Sequence, residues 1–61
     1  MKSRDLIKLI QKDGWYKKNT KGSHHHFIHP TKKGKVTIPH PRKDIPMKTV
    51  NSILEQAGLK K

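Results

Sequence analysis

The 61-residue chain predicts a small α+β fold in the order helix, three antiparallel strands, helix. Three observations predict it. Apolar residues recur at helical spacing near both ends, the middle carries short alternating runs broken by Gly and Pro, and 30 % hydrophobic content allows only a thin core. A chain of this size buries about 60 % of its unfolded surface. Both helices, each with one apolar face, are therefore expected on one side of the sheet, with the other side left to solvent. Residues 1–61 are expected to form a single domain without linker or internal repeat.

The first helix is predicted over Ser3 to Asp13. Ser3 suits its N-cap, Leu6, Ile7, Leu9 and Ile10 make its apolar stripe, and Gly14 ends it. Trp15 to Lys18 has strand character, and Asn19 to Gly22 reads as a turn. A second strand is expected over Ser23 to His29, stopped by Pro30. Thr31 to Gly34 leads into a third strand, Lys35 to Ile38, which Pro39 and Pro41 terminate because neither can donate to a ladder. The last helix is predicted from about Pro46, at its first position, to Ala57, with Asp44 near the positive end of its dipole. Its apolar stripe is Val50, Ile53, Leu54 and Ala57.

Charge narrows the partners. Fifteen Lys+Arg against four Asp+Glu give a formal +11, spread along the chain. Such a field attracts polyanions, nucleic acid first. A membrane binder would concentrate its cations on one amphipathic helix with bulky apolar anchors. No apolar run approaches the ~18 residues of a membrane span, and no signal-peptide pattern opens the chain. Cysteine is absent, so disulfides and thiolate metal sites are excluded. The expectation is an intracellular protein without membrane attachment.

Four of the five histidines fall within Gly22-Ser-His-His-His-Phe-Ile-His29. The run lies mid-chain and continues into Phe27 and Ile28, unlike a cloning-tag scar. Strand alternation divides it: His24, His26 and Ile28 share one face, while His25, Phe27 and His29 share the other. Phe27 has the most apolar area to bury, so it is expected inward and His24 and His26 outward on the open face. His25 is then a packed residue. Burial of Ile28 instead would reverse the assignment.

Three roles compete for the exposed imidazoles. A metal site could use His24 and His26, with His40, but carboxylates and cysteines are lacking nearby. A purely structural role is the plainest alternative. The third is proton transfer on bound RNA, where the substrate's own 2′-hydroxyl is the nucleophile. That needs a base for its proton, cations for the crowded phosphorane and a donor for the leaving 5′-oxygen. DNA lacks the 2′-hydroxyl, so this chemistry selects RNA.

Taken together, the ordered pieces resemble a known family. Lys2 to Leu59 carries Gly22-Ser23-His24 leading into Phe27, then Val36-Thr37-Ile38-Pro39-His40-Pro41, Asp44-Ile45-Pro46, Ser52-Ile53-Leu54 and Ala57-Gly58-Leu59. With the opening helix ending in Asp13-Gly14-Trp15, this order is similar to the HicA messenger-RNA interferase toxins of prokaryotic toxin–antitoxin pairs. The resemblance implies a double-stranded-RNA-binding-like fold and a metal-independent endoribonuclease needing no cofactor. It implies that the one catalytic histidine follows Gly-Ser, here His24, and that a HicB-type antitoxin covers the site. It also implies cytoplasmic action on messenger RNA that blocks translation and arrests growth.

On this chain His24 is expected to act as general base or acid. Gly22 is expected to let the turn approach the RNA backbone. Lys17, Lys18, Lys21 and Lys35 are expected as the nearest phosphate contacts by strand adjacency, with Arg42, Lys43 and Lys48 as a second basic group. His26 and His40 are auxiliary candidates whose plainer roles are structural or phosphate-facing. The alternatives left open are a non-catalytic RNA-binding module of the same fold and a basic adaptor for an acidic protein.

Overall fold

The computed structural model describes residues 1–59. Helix α1 spans Ser3–Lys12, followed by strands β1 (Tyr16–Lys21), β2 (His24–Ile28) and β3 (Val36–Pro39), and helix α2 spans Met47–Gln56. This is the α-β-β-β-α order expected, with an antiparallel sheet ordered β1-β2-β3. The helix side of that sheet holds the core. Leu6 and Ile10 of α1 and Val50 and Ile53 of α2 pack with Phe27, Val36 and Ile38, and Trp15, Ile45 and Ala57 complete it. Leu9, expected in the α1 stripe, is 43 % exposed, because Leu6 and Ile10 already fill the contact with the sheet.

Register follows Phe27. It pairs with Val36, and His25 pairs with Ile38, so these side chains face the helices. His24 pairs with Pro39 and His26 with Thr37 on the opposite, open face. On β1, Lys17 lies opposite Phe27 and Asn19 opposite His26, so Lys18 is the extra residue of a β-bulge.

Four local expectations need correction. β1 runs on to Lys21, and the turn into β2 is only Gly22–Ser23. Three of the four residues expected to form a turn, Asn19, Thr20 and Lys21, pair with β2 instead, and every residue of β1 is exposed. Such an edge strand has no apolar alternation to announce it. Ser3 is not a cap: it lies inside α1 and is 1 % exposed, and the N-cap, Lys2, makes no side-chain capping bond. Pro39 belongs to β3 rather than ending the sheet before it, which an edge strand tolerates. Pro46 is the N-cap of α2, not its first residue, and the first turn of α2 holds no acidic side chain. Asp44 instead accepts from the Met1 amino group at 3.3 Å.

Candidate functional site

The hairpin tip presents the first candidate. Gly22 takes φ +60°, a conformation in which side-chain-bearing residues are strained, and this lets β1 reverse into β2 in two residues. His24 is the first residue of β2 and is exposed. Its cross-strand neighbours on the open face are Lys21 on β1 and Pro39 on β3. His26 stands two residues further along the same face, about 7 Å away by strand rise. Its Nδ1 lies 2.9 Å from the Thr37 hydroxyl oxygen, which fixes the ring against β3. His24 therefore combines solvent access, a lysine opposite and bare backbone at the preceding turn.

The remaining residues expected at the site are scattered. Of the four lysines selected by strand adjacency, only Lys21 lies opposite His24. Lys17 pairs with Phe27, and Lys35 directly precedes Phe27's other partner, Val36, so both belong to the far end of β2. Lys18 sits in the bulge between these ends. Arg42 and Lys43 are exposed in the segment after β3, and Lys48 is exposed near the start of α2.

His25 and His40 meet on the helix side, ring centroids 5.0 Å apart and nearly perpendicular. Partial burial pushes the His25 imidazole below its ordinary value near 6.5, and the neighbouring His40, Lys17 and His26 push the same way. His40 Nδ1 lies 2.7 Å from the Ser3 hydroxyl, which also accepts the Arg42 amide at 2.9 Å. Among the described residues no group of three His, Cys, Asp or Glu side chains comes together to hold a metal ion. The set His24, His26 and His40 is divided between the two faces of the sheet.

His29 is structural. Its Nε2 donates to the Asp13 carbonyl at 2.8 Å, while its Nδ1 accepts from the amides of Thr31 and Lys32, both at 3.1 Å. The ring also meets Trp15 edge-on at 5.3 Å. Sequence reasoning missed two partners near the candidate site: Ser3, which holds His40, and Thr37, which holds His26. The Ser3–His40 contact joins segments 37 residues apart, so no local pattern signals it, whereas His26 and Thr37 meet as cross-strand partners once the register of β2 and β3 is set.

No curated protein sequence matches the chain. Residues 3–59 match the family described as the HicA toxin of bacterial toxin–antitoxin systems. That match takes in both helices, all three strands and the Gly-Ser-His turn, so the chain belongs to the HicA toxin family, the toxin side of a bacterial toxin–antitoxin pair that implies an antitoxin partner.

Proposed function

We propose that the chain is a single-domain endoribonuclease that cuts messenger RNA in the bacterial cytoplasm without a metal, with His24 as its catalytic group. The observation that carries this reading is the position of His24. It is exposed at the start of β2, directly after the Gly22–Ser23 turn, with Lys21 opposite, in a chain matching the HicA family.

His24 takes the proton of the RNA 2′-hydroxyl, and the 2′-oxygen attacks the adjacent phosphorus. A bond from phosphorus to the 2′-oxygen forms, and the bond to the 5′-oxygen breaks. The leaving 5′-oxygen is protonated, by the histidine or by water. The products are a 2′,3′-cyclic phosphate and a 5′-hydroxyl. Lys21 is the nearest cation for the crowded phosphorane. Lys17, Lys18, Lys35, Arg42, Lys43 and Lys48 extend the positive surface that holds the strand, and His26 and His40 orient it. A HicB-type antitoxin silences the toxin by covering the open face around His24.

Purified protein incubated with RNA tests the reading, with new ends mapped chemically. The wild type is expected to cleave in excess chelator and to leave cyclic phosphates. His24→Ala is expected to lose at least about a hundred-fold in rate, the lower range for a general acid–base, with the same circular dichroism spectrum. An equally active His24→Ala protein, or cleavage that stops on chelation, overturns the assignment.

A further inference from the structure

A second basic feature lies on the helix side of the sheet, at the same end as His24. A pocket of about 530 Å³ opens between the start of α1 and the segment after β3. Its walls carry Lys2, Arg4, Arg42 and Lys43 together with His40, and no carboxylate among the described residues lines it. Its shape is fixed by backbone. The Ser3 amide donates to the Arg42 carbonyl at 2.9 Å, the Arg42 amide donates to the Ser3 hydroxyl, and that hydroxyl meets His40. Four cations held around one concavity repel one another in the free protein, so a bound anion relieves a standing cost.

We infer that this pocket binds a phosphodiester of the RNA strand whose scissile phosphate lies at His24. The inference rests on RNA being the substrate, as proposed above. Guanidinium forks such as those of Arg4 and Arg42 match two phosphate oxygens at once. Continuity with the candidate catalytic group selects a repeating polyanion over an isolated acid. Pro39, the partner of His24, is followed directly by His40, whose amide donates to the Ser23 carbonyl at 2.7 Å. The pocket thus begins about one strand spacing, roughly 5 Å, from the His24 backbone. A strand leaving the open face passes over the hairpin tip at Gly22, where a Cβ would meet nothing within 4 Å. One face supplies the reacting group and the other supplies the grip.

The test is RNA binding by full-length His24→Ala protein, which keeps the RNA intact, followed by fluorescence anisotropy with a labelled single strand. Adding Arg4→Ala and Arg42→Ala leaves every backbone bond of the pocket in place. This pair is expected to weaken binding about ten-fold or more and to flatten the log–log salt slope by about 0.7 for each phosphate that is no longer neutralised. Lys12→Ala with Lys33→Ala removes the same charge elsewhere and is expected to cost less than about three-fold. Equal losses from the two pairs, or none from the arginine pair, overturn the pocket while leaving the cleavage reading intact. Pocket-dependent binding by a wild type that never cleaves RNA supports the pocket and overturns the catalytic reading. Failure to bind RNA at all overturns both.

Discussion

At Gly14 the chain leaves α1 with φ +110°, and a Cβ there would lie 2.7 Å from Nε2 of His29. Two penalties coincide at this position. The backbone lies where L side chains are strained, and the space is occupied by a ring held by four polar contacts. Gly14→Ala is therefore expected to destabilise the fold by about 1–3 kcal/mol, the range for a strained backbone position. Gly22→Ala shares the positive φ but meets open space, so its cost is expected at the lower end of that range. Urea denaturation of both variants checks this. If Gly22→Ala proves the more destabilising, crowding against His29 does not set the cost at Gly14. His29 and His24 come from the same short run, yet one is committed on both nitrogens and the other is exposed.

At the scale of elements, the ends of the two helices are tied by one polar knot. Lys32, from the loop between β2 and β3, reaches both the Asp13 carboxylate at the end of α1 and the Ala57 carbonyl at the end of α2. Trp15 Nε1 also donates to that carbonyl at 3.2 Å. The hydrogen bond from the Lys32 ammonium is the main cause holding the Asp13 carboxyl below its ordinary value near 3.8. A depressed carboxyl stabilises the fold above its unfolded pKa, and that share disappears as pH falls through the folded value. Below about pH 4 the melting temperature of the wild type is thus expected to fall more steeply than that of Asp13→Asn. Parallel curves would show that the pair contributes nothing to acid stability. The knot was not legible in the sequence, whereas the elements it joins largely were. Leu6 with Ile10, and Val50 with Ile53, carry a helical period, and Phe27 has enough area to set the register of β2. Asn19, Thr20 and Lys21 extend β1 without burying anything, so their pairing left no periodic trace. Likewise the exposed face of His24 followed from alternation, whereas the Ser3–His40 and Lys32–Ala57 contacts depend on how the helices settle on the sheet.

For the whole molecule, charge acts against compactness. Fifteen cationic side chains share a body with a radius of gyration of 10.5 Å. Of the four acidic residues, Asp13 is paired with Lys32 and Asp44 with the Met1 amino group. The Debye length is about 30 Å at 0.01 M salt and about 10 Å at 0.1 M. At the lower salt every cation feels every other across the molecule, and at the higher one the field is screened over roughly the molecule's own radius. Raising sodium chloride from 0.01 M to 0.2 M is therefore expected to raise the melting temperature, by about 4–8 °C for each kcal/mol of repulsion relieved in a domain of this size. RNA affinity is expected to fall over the same range, because counterions released into more concentrated salt gain less entropy. The melting trend reads self-repulsion in the free protein, and the affinity trend reads counterion release on RNA. Chloride is the anion to use, since phosphate or sulfate would also enter the basic pocket between α1 and the segment after β3. Melting followed by circular dichroism, beside anisotropy on the same samples, measures both slopes. A melting temperature that stays level or drops with chloride would mean that the +11 charge is already balanced within the fold, and that relief of repulsion gives the protein no reason to seek a polyanion.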